Sequence, residues 1–327
     1  MRFLRLLFLC LVYSSALNAQ EIRCISKGIG SDSSFYSIAK INENEYWLCG
    51  ETGILKRLDT LGNLQNISIP EYHGHLLKVM KWNDYVFLSS DEGAMYRYDL
   101  KLNRWLVKQF RGFEERCFYD FFISSDARLV ICGGAKAIAK GKKRIPHGFV
   151  LQSDTSFSHQ NILRKRVHEF NFLIRPDEHG NTRLLSFNGH RSKIYVSKNL
   201  KKWKKKESIR GLVHDILQSG DTLLYCGAGG IRYKEAGLFG CRPSVSIRQE
   251  IPDIGCIWRL QEHRGSFFGI SRSGGLLEIE PRTARFLRRP LTENFSIYAI
   301  AFTPGGKCIL AGNGKRIYMM DMSRIRD

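Results

Sequence analysis

One pattern recurs along the chain: a β-rich run, a cluster of small residues with Gly, then a second β-rich run. The copies are WLCGETGILKRL from Trp47, FLSSDEGAMYRY from Phe87, VICGGAKAIAKG from Val130 and LLSFNGHRSKIYV from Leu184. LYCGAGGIRY from Leu224, FFGISRSGGLLEI from Phe267 and ILAGNGKRIYMM from Ile309 complete seven. The six steps from Cys49 to Ala311 average about 44 residues. An apolar segment precedes each copy (YSIAKI, LKVMKW, YDFFI, HEFNFLI, HDILQ, WRLQE, YAIAF), and a polar turn with a further β-rich piece follows. Each unit therefore reads as four short strands separated by turn signals. A helical repeat of this period is excluded, because the runs are short, β-branched and aromatic, and Gly interrupts them.

A four-stranded sheet cannot cover both of its own faces, and stacking such sheets around an axis does. The sequence predicts an all-β fold, a seven-bladed β-propeller with four-stranded blades, forming one domain over 21–327. The last unit has strands near 297–302, 308–312 and 316–322 but lacks a fourth, and a spare one lies near 22–27. The N-terminal strand is thus expected to pair with the last blade and close the ring, removing open sheet edges.

Residues 1–20 read MRFLRLLFLCLVYSSALNAQ. Arg2 and Arg5 precede a short apolar run, and small residues lead to Ala19, the pattern of a secretory signal peptide. The run is too short to span a bilayer. An exported protein, periplasmic or extracellular, is expected. The chain has 51 Lys+Arg against 31 Asp+Glu, and loss of residues 1–20 lowers the net charge from +20 to +18. Of that, +14 falls within 136–206. Two runs dominate: Lys140, Lys142, Lys143 and Arg144 in a basic insertion at about 135–148, and Lys201, Lys202, Lys204, Lys205 and Lys206 around Trp203. Such a patch attracts acidic proteins, polyanionic glycans or lipid headgroups. Export and sparse aromatic interleaving argue against nucleic acid.

Strand side chains alternate, so the first strand of each unit offers two series of channel residues. One is Tyr36, Leu77, Tyr119, His168, His214, Trp258 and Tyr298; the next is Ser37, Lys78, Asp120, Glu169, Asp215, Arg259 and Ala299. An aromatic/His ring with adjacent carboxylates forms the candidate ligand site; packing between blades is the competing explanation. Asp120, Glu169 and Asp215 would also suit glycoside hydrolysis, which needs two carboxylates about 5 to 10 Å apart. His73 and His75 place two imidazoles on one face if extended, without a third metal ligand nearby. No P-loop, dinucleotide fingerprint, GxSxG or HExxH is present, and neither metal nor cofactor is expected. An oxidising compartment permits disulfides. Cys49, Cys132 and Cys226 occupy equivalent positions and are read as small core residues, whereas Cys241 and Cys256 form the best local pair.

Segment Ser197-Lys-Asn-Leu-Lys-Lys-Trp203 resembles a shortened Asp-box turn, with Asn199 in place of Asp, and YDLKLNRW from Tyr98 is a weaker echo. With the repeat logic over 30–322, the chain resembles exported propellers of the photosystem II assembly-factor-like and BNR-repeat group. The resemblance implies a propeller that serves as a scaffold, a binding platform or a glycan-processing enzyme. The expected function is non-enzymatic binding of a protein partner or anionic polymer by a monomer, through the basic flank and channel mouth. The alternative is a sialidase-like hydrolase.

Overall fold

The computed structural model describes residues 22–26, 33–70, 74–135, 147–220, 222–227, 230–235, 256–280, 283–288 and 295–322. Strand β1 (Ile22–Ser26) precedes a series of antiparallel meanders. The first comprises β2 (Phe35–Asn42), β3 (Glu45–Gly50), β4 (Leu55–Asp59) and β5 (Leu64–Asn66). The second comprises β6 (Leu76–Trp82), β7 (Tyr85–Ser90), β8 (Ala94–Asp99) and β9 (Arg104–Gln109). The third holds β10 (Arg116–Ile123), β11 (Arg128–Ala135), β12 (His147–Asp154) and β13 (Gln160–Val167). The fourth holds β14 (Phe170–Pro176), β15 (Thr182–Phe187), β16 (Arg191–Ser197) and β17 (Lys204–Arg210). Next come β18 (Val213–Ser219), β19 (Thr222–Gly227) and β20 (Gly230–Glu235). Then follow β21 (Ile257–His263), β22 (Ser266–Ser271), β23 (Leu276–Glu280) and β24 (Thr283–Arg288). The last sheet holds β25 (Ile297–Phe302), β26 (Lys307–Gly312) and β27 (Ile317–Asp321), with β1 added outside β27.

The expectation of seven four-stranded blades is corrected here. Four strands are present in six of the sheets, and the sheet of β18–β20 has three among the described residues. The residues that follow β20, 236–255, lie outside those described. Ring closure is seen directly: Ile22 pairs with Met320, Arg23 with Met319 and Cys24 with Tyr318. Residues 1–20, read as a signal peptide, also lie outside the described residues.

Each pair of neighbouring sheets shares its own apolar cluster, which is the burial that a single sheet cannot achieve. Between the second and third sheets the cluster is phenyl-rich, with Phe87, Phe110, Phe113, Phe118, Phe121, Phe149 and Phe157 buried together. The last and first sheets meet through Ile309, Ile317 and Met319 against Phe35, Tyr46 and Leu48, so the ring has no apolar gap at its seam. Small residues recur at the end of the second strand because the first strand passes close there. A Cβ on Gly50 would stand 1.9 Å from the Ser34 carbonyl oxygen, and one on Gly312 1.8 Å from that of Ser296. Only Gly permits such an approach.

Candidate functional site

Every innermost strand carries a break in register near its start. The breaks fall between Phe35 and Ser37, Leu76 and Lys78, Cys117 and Asp120, and Asn171 and Leu173. They continue between Val213 and Asp215, Ile257 and Arg259, and Ile297 and Ala299. A bulge leaves one residue unpaired and re-aims its side chain. The residues so released are Tyr36, Leu77, Tyr119, Phe172, His214, Trp258 and Tyr298, each partly exposed beside a fully packed neighbour. They form a girdle at the channel mouth. Ring centroids are 6.1 Å apart for Tyr36 and Tyr298, 5.6 Å for Tyr298 and Trp258, and 4.3 Å for Trp258 and His214. Tyr119 and Phe172 meet edge to face at 6.3 Å. These are ordinary attractive aromatic separations.

Phe172 stands where the sequence suggested His168. His168 lies before β14 with φ 67°, and its neighbour Glu169 is buried. Glu169 accepts from Arg164 Nη2 at 3.1 Å, Lys193 Nζ at 2.7 Å and Tyr195 Oη at 3.0 Å, tying the third sheet to the fourth. Burial opposes its charge, but the Lys193 and Tyr195 bonds outweigh that and hold the carboxyl below its ordinary range. Residue spacing carries the missed signal. The other six girdle residues lie 12 or 13 positions before the residue that pairs with their successor, as Phe172 does before Leu185; His168 does not.

One position on, the side chains turn inward between strands. Asp120 accepts the Ile174 amide at 2.8 Å and the Lys78 ammonium, and Asp215 accepts the Leu260 amide at 2.9 Å. Ser37 accepts the Val79 amide in the same way at 3.2 Å. Each bond reaches the first strand of the next or adjacent sheet, so the series pins inner strands together. Asp215 is fully buried and also accepts from Ile216 N and from Arg175 Nη2, both at 2.9 Å. The two carboxylates are thereby occupied by fixed donors.

Tyr36, Ser37, Lys78, Asp120, Arg175, Asp215, Arg259, Gln261 and Tyr298 line a cavity of about 160 Å³ within the channel. Arg175 and Gln261 were not singled out from sequence, since they lie further along the inner strands. Burial first, and then the Arg259 charge, push the His214 imidazole down to about 4, so it is neutral at pH 7. At the rim, Tyr36 Oη donates to Glu51 at 2.5 Å; burial, then this bond, raise the phenol above its ordinary range. Glu51 also accepts the Ser34 amide, and Asp91 the His75 amide, both at 2.8 Å.

His75 Nδ1 accepts the Thr52 amide at 3.1 Å, while His73 lies outside the described residues. Among the described residues no group of three His, Cys, Asp or Glu could hold a metal. Cys49, Cys132 and Cys226 are buried free thiols, and burial raises each. Cys256 is likewise a free thiol, pushed up to about 11 by burial; Cys241, its expected partner, lies outside the described residues.

Lys201, Lys202, Lys204, Lys205 and Lys206 are all exposed, on the turn between β16 and β17 and on β17 itself. Asn199 accepts the Lys201 and Lys202 amides there, and Trp203 Nε1 donates to Leu200 O. This third-to-fourth turn is at the end of the ring opposite the girdle, by the alternation of an antiparallel meander. The other basic run, Lys140, Lys142, Lys143 and Arg144, lies outside the described residues. At the girdle end, Tyr119 Oη donates to Ala135 O at 3.4 Å.

No protein-family model and no curated protein matches the sequence. Among solved structures the chain is similar to YCF48 bound to D1 peptide, with TM-score 0.68 and 11% identity over 91% of this chain and 96% of that one. It is similar to YCF48 from Cyanidioschyzon merolae, with TM-score 0.66 and 11% identity over 91% and 98% of the two chains. The WD40 β-propeller domain of Doa1 matches with TM-score 0.65 and 8% identity over 93% and 99%. At these identities the likeness establishes the fold, a β-propeller built from repeated sheets, and lends no support to the BNR or Asp-box affiliation.

Proposed function

We propose that the chain is an exported, non-enzymatic β-propeller whose girdle end receives a protein partner, with the basic flank steering association. The single observation that carries this reading is the girdle. Six of the seven inner-strand bulges release an aromatic or His side chain to the channel mouth, partly exposed. Aromatic side chains offer large contact area at small entropic cost and dominate binding hot spots. A solved propeller of similar shape, YCF48, is bound to a peptide, which agrees with a peptide-receiving face.

Hydrolysis by channel carboxylates has less support. Asp120 and Asp215 are held by backbone amides and cations, and Glu169 belongs to a separate ion-pair cluster. The test is co-purification from an exported fraction with the intact chain, Trp258→Ala/Tyr298→Ala and Lys204→Glu/Lys205→Glu/Lys206→Glu. The girdle variant is expected to lose the partner at any salt concentration. The charge variant, altered at the opposite end of the ring, is expected to retain the partner and to lose only association rate at low salt. Retention of the partner by the girdle variant sinks the proposal.

A further inference from the structure

Five charged side chains line the channel cavity: Lys78, Arg175 and Arg259 against Asp120 and Asp215. Lys78 is paired with Asp120, and its ammonium also donates to Phe121 O at 2.6 Å. Arg175 is paired with Asp215 at 2.9 Å and donates to Ile216 O at 2.8 Å. The Asp215 oxygens are taken up by Ile216 N, Leu260 N and Arg175. Arg259 is left with no hydrogen bond or ion pair among the described residues, although it is partly buried and faces the cavity. The surplus charge of the channel is therefore positive and sits on one planar guanidinium, the group best shaped for bidentate contact with a carboxylate.

Above that charge the wall is aromatic. Tyr36 and Tyr298 line the same cavity, and Trp258 meets Tyr298 edge to face at 5.6 Å. The volume, about 160 Å³, is roughly ten times the 10–15 Å³ that one water requires. It is smaller than the 300–1,000 Å³ typical of pockets for drug-sized ligands. The space suits a small body with one flat apolar side and one anionic end.

We propose that the channel binds a small organic monoanion, its carboxylate on Arg259 and its apolar body against Tyr36, Tyr298 and Trp258. This site lies inside the mouth assigned above to a protein partner and does not depend on that partner. Its readout is direct binding of a small molecule, so it fails or stands separately from co-purification.

The test is calorimetric titration of the intact chain with benzoate and with benzamide, its uncharged analogue. Benzoate is expected to bind saturably and benzamide at least tenfold more weakly. Arg259→Gln is expected to remove that preference, and Lys204→Gln/Lys205→Gln/Lys206→Gln to preserve it. Tyr298→Ala is expected to weaken both ligands while keeping their ratio, which tests the site if Arg259→Gln does not fold. Absence of benzoate binding at millimolar concentration overturns the proposal. So does equal affinity for the two ligands, a preference that survives Arg259→Gln, or affinities untouched by Tyr298→Ala.

Discussion

Asp215 accepts from Ile216 N, Leu260 N and Arg175 at 0% exposure, so its removal strands several donors at once. Asp215→Ala is expected to destabilise the fold by about 3 kcal/mol, as breaking a buried pair does. Ser37→Ala, which deletes one neutral bond to Val79 N, is expected to cost about 1 kcal/mol. Urea denaturation of the two variants checks the order. His214 gives a pH signature of definite sign. Its native imidazole stays neutral down to about 4, whereas the unfolded chain takes up a proton near 6.5. The unfolded state therefore binds more protons between those values, and stability falls as pH drops through that window. His214→Gln is expected to flatten the pH 7 to pH 4.5 difference in urea midpoint; an unchanged difference refutes the assignment. At this scale the sequence was only partly legible. Tyr36, Tyr119, His214, Trp258 and Tyr298 belong to one of two series that alternation left open, and Glu169 reads as a channel carboxylate only until Lys193 and Tyr195, 24 and 26 positions on, are folded against it.

The inner strands show what a repeated element adds to a repeated sequence. Strand alternation allowed either of two series to face the channel, and the bulge brings residues of both to it: the first series is released from the ladder, and the second lines the cavity. No residue type marks the bulge: Leu77 and Trp258 occupy the same position. Spacing to the second strand does mark it, and this is why a motif-led reading displaced the fourth position to His168. The second strands were more legible, because Gly50 and Gly312 answer to a backbone contact that repeats with the unit. The fourth strands were least legible, being exposed and polar, as in β5 and β17. Strand β1 makes the element-scale prediction. Deleting 22–26 leaves β27 as an open edge beside Met320 and Tyr318. A lower midpoint of thermal unfolding and loss of hydrogen-exchange protection along β27 are expected. Unchanged protection there would show that the seam does not depend on β1.

Across the whole molecule, the positive charge is unevenly placed. The Lys201–Lys206 run is exposed at the end opposite the girdle, and among the described residues the channel cavity carries one surplus cation. Attraction from the exposed run is screened over about 8 Å at physiological salt, whereas the channel charge is sheltered. Association with an acidic partner is expected to slow several-fold between 50 and 300 mM salt, and Lys204→Glu/Lys205→Glu/Lys206→Glu to abolish that slope. Stopped-flow measurement of the association rate provides the check. The pairing of β1 with β27 carries a consequence for biogenesis. The earliest strand to leave the ribosome must wait for almost the last before it has a neighbour, so every nascent intermediate keeps two sticky seams. A chaperone or a protease meeting the unfinished polypeptide would find them open, and they vanish together in one late step.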